Sequence, residues 1–265
     1  MTKEGFKIFQ KDVPGIVTNW QPEMALDIYK FLEQPNWAPW LEASQETISG
    51  RAKTFPQGQL VILETNTGLP IASLSTNLIN WDGNPNNLPN WDLVAGEPTD
   101  YSQTYCPKGD TLVLMSMNVS QEYQGTGLAR ELIGQITQVA RGLGCQHLIG
   151  SFRPSEFGKY KNQIDWQISF EDYCQQVRED GLPIDGWLRS LARNGMRSLA
   201  IDHQAMTVAV TLDELQFYKN NYKPEFWQEI SPGIWECGEV GQWQVLESQG
   251  KAVYKESNLW GELPL

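Results

Sequence analysis

Gly125 and Gly127 stand two residues apart in Gln124-Gly125-Thr126-Gly127-Leu128-Ala129-Arg130, between an apolar run and a segment of helical periodicity. A helix N-terminus leaves amide N–H groups unpaired and carries partial positive charge, so glycines placed there let a phosphate approach the backbone closely. The chemistry these residues suit is anion binding. A Walker loop would need Lys followed by Ser or Thr after its second glycine, and here Leu128 and Ala129 follow Gly127. A dinucleotide fingerprint would carry a third glycine where Arg130 stands and would open an early strand-helix-strand unit.

The elements that must position this loop are legible around it. Leu112 to Val119 is apolar or weakly polar without a turn former, as in a strand buried on both faces, and Ser120 and Gln121 close it. Beyond Thr126, Leu128, Ala129, Leu132, Ile133, Ile136, Val139 and Ala140 recur at helical spacing until Gly142 and Gly144 supply the stop. Gln146–Phe152 then reads as a further strand. Thr111 to Gly150 is therefore strand, anion loop, helix and strand, a cofactor cradle.

Gln124-Gly125-Thr126-Gly127-Leu128-Ala129, preceded by Met117-Asn118-Val119, resembles the Gln/Arg-x-x-Gly-x-Gly/Ala signature of the GNAT superfamily of acyl-CoA N-acyltransferases. The resemblance implies that the amides of Gln124–Ala129, with Arg130 beside them in the cofactor site, hold the pyrophosphate of acetyl-CoA or another acyl-CoA as co-substrate. It also implies that the strand through Met117, Asn118 and Val119 splays from its neighbour to pair with the pantetheine arm. The implied fold is α/β (α+β), with a mixed, mostly antiparallel sheet flanked by helices. Upstream, Phe6–Phe9 reads as a strand, Pro22–Glu33 and Pro39–Ser49 as helices, and Gln59–Glu64 and Pro70–Thr76 as paired strands, which is the family order. The implied activity is transfer of an acetyl or other short acyl group to an amine of a small molecule or peptide. Two other readings stand beside it: a malonyl-CoA decarboxylase or S-acyltransferase of secondary metabolism, and a non-catalytic acyl-CoA-binding module.

The chain departs from the family pattern in three places. Asn77–Gly109, rich in Asn, Pro and Gly, replaces a short turn. Its Trp81, Trp91, Tyr101 and Tyr105, interleaved with Asp82, Asp92, Glu97 and Asp100, suit either a wall for a cationic amine or a lid pinned by its aromatics. The resemblance puts a general-base glutamate where Val113 stands; Asp110 is the nearest acid, with Glu156, Asp82, Asp92 and Asp100 as alternatives. It puts the general acid, a tyrosine that protonates the CoA thiolate, at Tyr160, with Tyr173 competing. The third departure is the long C-terminal region. Ser169–Arg178, Asp185–Asn194 and Leu212–Asn220 read as helices and Met206–Thr211 as a strand; Ile230–Glu256 reads as a small β unit. Residues 1–160 are read as the acyl-CoA-binding core, and 161–265 as its C-terminal completion and extension, contributing to the acceptor cleft.

Composition sets the outer bounds. Hydrophobic residues at 40% and charged residues at 20% describe a folded globule, not a disordered chain. A net charge of −12 argues against nucleic acid and against anionic membranes as partners. A polyanionic cofactor then needs local neutralisation, for which Arg130, Arg141, Arg153, Lys159 and Lys161 are the candidates. No run of about 18 apolar residues occurs and MTKEGFKIFQ lacks an apolar signal core, so a cytoplasmic protein is expected. The widely spaced Cys106, Cys145, Cys174 and Cys237, with only His147 and His203, suggest neither a metal site nor a disulfide framework. His203 beside Asp202 suits a general base or a structural histidine. With 11 tryptophans, some are expected at grooves or a subunit interface, so a homodimer is possible.

Overall fold

The computed structural model describes residues 6–10, 13–96 and 103–265. Strands β1 (Phe6–Gln10) and β2 (Val13–Asn19) pair at one margin of the sheet. Helices α1 (Ala25–Ile28) and α2 (Gln34–Asn36) are joined by a π-helical turn, Tyr29–Glu33. Helix α3 is Gln45–Thr54, and its start is set by Ser44, whose hydroxyl accepts from the Thr47 amide at 3.1 Å. It therefore begins later than the expected Pro39, and Trp40 instead packs against Trp243 and Tyr254, with ring centroids 5.3 and 5.6 Å away.

Strands β3 (Gln59–Glu64) and β4 (Pro70–Ile79) precede α4 (Trp91–Ala95), a short helix inside the long insertion. The cradle follows as β5 (Thr111–Val119), α5 (Leu128–Leu143) and β6 (His147–Phe152). Three helices come next: α6 (Phe157–Gln163), α7 (Phe170–Gln175) and α8 (Gly186–Arg193). The chain closes with β7 (Arg197–Thr211), α9 (Leu212–Asn221), β8 (Gln228–Ser231), β9 (Ile234–Glu236), β10 (Gln242–Leu246) and β11 (Lys251–Leu263). Among the described residues no helix is long and apolar enough to cross a membrane.

All these strands join one sheet in the order β1-β2-β3-β4-β5-β6-β11-β10-β9-β8, with β7 along the other side of β11. Pairing is antiparallel except between β5 and β6. Strand β11 meets β6 over Leu259–Leu263 and β10 over Lys251–Lys255, while β7 accompanies it nearly throughout. Residues 257–263, beyond the expected β unit, thus belong to a strand of the sheet interior. An added Cβ at Gly261 would stand 2.6 Å from Met196 Sδ, so a larger residue there would displace that side chain.

The core explains these placements. Leu128, Leu132, Ile133, Ile136 and Ala140 of α5 are buried with Leu60, Ile62, Ala72 and Leu74 of the sheet, and Leu188 and Leu191 of α8 join them. Helices α1 and α3 cover the opposite face through Ala25, Ile28, Ile48 and Ala52 against Val61. The rings of Trp40, Trp243 and Tyr254 form a separate cluster under α9.

Candidate active site

Strands β5 and β6 run in register from Thr111/His147 to Leu114/Gly150 and then part. Past Leu114 that edge of β5 has no strand partner among the described residues, while β6 continues to Phe152 paired with β11 on its other edge. The parting coincides with a register shift on the other edge, where Ser75 faces Ser116 and Thr76 faces Leu114, leaving Met115 as the extra residue. Ser120 N–H donates to Ile71 O across β4, so by alternation the backbone groups of Met117 and Val119 face the open edge.

At the end of β5, Gly125 and Gly127 take φ of +74° and +98°, a region that side-chain-bearing residues rarely adopt. Gly127 is the N-cap of the 16-residue α5. The first intrahelical bond runs from Glu131 N to Gly127 O at 3.1 Å, so the amides of Leu128, Ala129 and Arg130 have no intrahelical acceptor. These free amides, a glycine loop and the positive end of a helix suit a pyrophosphate.

A cleft of about 900 Å³ runs from this loop through the gap between β5 and β6 to the far face of the sheet. Its walls carry Arg130, Arg153, Arg189 and Arg193, and among the described residues lining it there is no carboxylate, imidazole or lysine. An acidic protein therefore gathers positive charge where a polyanion would lie. Arg189 Nη1 is anchored to the carbonyls of Pro183 and Ile184 at 3.0 and 2.7 Å. Helix α8, which carries Arg189 and Arg193 one turn apart, is capped by the buried Asp185, whose Oδ1 accepts from the amides of Trp187 and Leu188 at 3.0 Å.

On the far face, Trp37 Nε1 donates to Asn118 Oδ1 at 2.8 Å, and Asn118 Nδ2 donates to Glu33 Oε2 at 2.7 Å. Burial pushes the Glu33 carboxyl above its ordinary range, against the hydrogen bond from the Ala43 amide and the nearby Arg51. Arg153 lies 5.8 Å from the Trp37 ring centroid and bonds Glu256 at 2.7 Å and Glu239 at 2.6 Å. Burial opposes its charge, but those two carboxylates outweigh burial and hold the guanidinium protonated. Trp91 of α4 closes the wall, donating Nε1–H to Met115 O at 3.1 Å.

The profile of the acetyltransferase (GNAT) family matches residues 23–155. The chain belongs to that family. This GNAT protein is similar to an uncharacterized N-acetyltransferase, YkwB, of Bacillus subtilis strain 168, at 22% identity over 66% of this chain and 76% of that protein. Among solved structures it resembles a GNAT-like decarboxylase, GphF, in complex with isobutyryl-CoA, at 17% identity, covering 93% of this chain and 98% of that one, with a TM-score of 0.58. It also resembles the loading GNATL domain of CurA from Lyngbya majuscula, at 19% identity over 71% and 86% of the two chains, with a TM-score of 0.57. At these identities the likeness is one of fold.

Met117, Asn118, Val119, Gln124, Gly125, Gly127, Leu128, Ala129 and Arg130 all line the cleft of this GNAT protein. Thr126 turns away, its hydroxyl donating to Tyr123 O, and Asn118 offers its side chain to Trp37 and Glu33. The two catalytic expectations fall elsewhere. Asp110 lies at the opposite end of β5, accepting from the Trp81 amide and the Thr111 hydroxyl. Tyr160 is on α6, its ring 5.1 Å from that of Tyr173 in a cluster with Phe157 and Phe170. Neither lines the cleft. The helix that reaches the cleft after β6 is α8, because α6 and α7 form an excursion packed on the C-terminal strands, where Lys161 Nζ donates to Val240 O at 3.0 Å. Tyr173 is buried and donates to Asp185 at 3.1 Å, burial raising its hydroxyl above the ordinary range.

Of the expected cations, Arg130 and Arg153 line the cleft; Arg141, Lys159 and Lys161 do not. The missed ones are Arg189 and Arg193, signalled only by their i,i+4 spacing within Asp185–Asn194. In the insertion, Trp91 alone of the described aromatics faces the cleft. Trp81 packs on His147 at 4.9 Å and Tyr105 on Phe55 at 5.2 Å, pinning the loop to the body, while Glu97, Asp100 and Tyr101 lie outside the described residues. Asp82 caps the Asn84 turn and Asp92 accepts from the Thr207 amide at 3.0 Å. His147 bonds Glu262 at 2.8 Å, and the exposed His203 faces Glu171 at 3.2 Å.

Proposed function

We propose that this chain transfers an acetyl or other short acyl group from acyl-CoA to an amine of a small molecule or peptide. The observation that carries the reading is the parting of β5 from β6 beside a positive-φ glycine loop, with one cleft joining them. The free amides of Leu128–Arg130 and the side chains of Arg130 and Arg193 would hold the phosphates, and the open edge at Met117 and Val119 would pair with the pantetheine amides. The acyl end would then lie towards Met115, with the amine arriving from the Trp37 and Trp91 side. Proximity and alignment carry most of the rate in such a site. With no carboxylate or imidazole on the described walls, the amine reaches the thioester in its neutral form and gives its proton to water or to the departing thiolate.

Incubation with acetyl-CoA and a panel of amines, followed by mass spectrometry, tests this reading. An amide product with stoichiometric release of CoA is expected. The four cleft arginines and the lack of a carboxylate among the described wall residues favour a second reading in which the acyl group is itself anionic, as in malonyl-CoA. Decarboxylation of malonyl-CoA without an amide product would select that reading.

A further inference from the structure

Ser151 Oγ and Asn258 Oδ1 are buried side-chain atoms without a hydrogen-bond partner, and both residues line the cleft. Ser151 is 7% and Asn258 2% exposed. Folded proteins leave few such atoms unpaired, and each calls for an explanation. The unpartnered indole nitrogens of Trp20 and of Trp40 and Trp243 differ, since those rings lie inside closed hydrophobic clusters. Ser151 and Asn258 instead line the cleft, these oxygens lying just beneath its wall.

The register brings them together. Ser151 faces Trp260 and Phe152 faces Leu259, so Ser151, Arg153, Asn258 and Trp260 share one face of the sheet. Ser151 and Asn258 are diagonal neighbours on adjacent strands, with backbones about 7–8 Å apart. Asn258 stands at the shift between β11 and β7 where β11 has left β6 and has not yet met β10. Such irregularities commonly re-aim a side chain beside an active site. Ser151 comes immediately after Gly150, the last residue of β6 paired with β5, so the two oxygens lie beside the parting of the strands.

We propose that Ser151 Oγ and Asn258 Oδ1 are an acceptor-positioning pair, taking the two N–H groups of a neutral primary amine and leaving its lone pair for the thioester. The inference rests on the amine reading above and names what holds the nucleophile. A primary amine has two donors and one lone pair, and two acceptor oxygens occupy the donors without competing for the pair. Two neutral acceptors suit an uncharged amine, and the Arg153 guanidinium on the same face is already occupied by Glu239 and Glu256. The nitrogen attacks the thioester carbon, forming C–N; C–S breaks with its electrons left on sulfur, and one N–H proton passes to the thiolate or to water. Amide and CoA thiol result.

The test uses the full chain with acetyl-CoA and the best amine of a panel of amino acids, polyamines and short peptides. Ser151→Ala and Asn258→Leu should each lower kcat/KM for the amine by at least about tenfold, with the amine KM rising. Calorimetry should find acetyl-CoA affinity within about threefold of wild type, which also certifies the fold. Transfer at the wild-type rate in both variants overturns the pair. So does a loss of acetyl-CoA affinity as large as the loss of transfer, which would assign these atoms to the thioester. Absence of any amide from the wild-type protein sinks the amine reading itself, and shows before a variant is made.

Discussion

At the scale of single residues, the loop glycines separate two effects that usually travel together. An added Cβ at Gly125 meets nothing of the protein within 4 Å, so the position is held to glycine by its φ and by whatever approaches from solvent. Gly125→Val is expected to leave the fold intact at a strain of about 1–3 kcal/mol, and to weaken acyl-CoA binding by about tenfold or more. Circular dichroism and calorimetry would read the two effects apart; unchanged affinity in the folded variant would exclude the loop as the phosphate site. The arginines make a second prediction. Arg193 has no carboxylate partner among the described residues, so Arg193→Gln removes a charge free to meet a phosphate. Acyl-CoA affinity should fall several-fold at low salt, and the difference from wild type should shrink as ionic strength rises, since salt screens exposed charges. A loss independent of salt would assign Arg193 to packing.

At the scale of elements, Asp185 connects α8 to the rest of the site. Its carboxylate caps α8, accepts from the Glu156 amide at 2.9 Å and from the Tyr173 hydroxyl, and is buried. Asp185→Ala should cost on the order of 1–3 kcal/mol in denaturant unfolding, because it strips a cap and leaves buried donors unpaired. It should also weaken acyl-CoA binding, since Arg189 and Arg193 ride on that helix; unchanged binding would detach α8 from the cofactor. The cradle was legible because its signals are local: an apolar run, two glycines and a helical stripe fall within one short segment. The excursion through α6 and α7 was not, because nothing near Phe152 says that Phe157–Gln175 packs against β10 and its neighbours. That is why the sequence points to Tyr160 beside the cleft, whereas the residue lies on α6 away from it. Ser151 and Asn258 were invisible for a related reason, as only the register of β6 on β11 brings them together.

At the scale of the whole molecule, the two halves of the sheet meet at a buried charge network. Arg153 links β6 to Glu256 of β11 and to Glu239, which also accepts from Tyr222 at 2.6 Å and from Lys223 at 2.7 Å. Burial opposes the Glu239 charge, but Arg153 and Lys223 outweigh it and bring its carboxyl down to about 2. A depressed carboxyl contributes stability above its unfolded value of about 4.5, and that stability is lost as pH falls towards 2; the difference is on the order of 3 kcal/mol. Denaturant midpoints measured from pH 6 down to pH 2 should fall over that window in the wild-type protein and less steeply in Glu239→Gln.

The pairing of β6 with β11 has a kinetic side. Neighbours across that ladder are far apart in the chain, as His147 and Glu262 are at a separation of 115 residues. Closing so long a loop precedes any reward from the contacts it permits, so non-local strand pairs form slowly. Strand β6, which forms one side of the gap, is held along its other edge by β11. During refolding, then, the capacity to take up acyl-CoA should return no earlier than the slowest step of sheet assembly, however early the loop and α5 acquire their local shape.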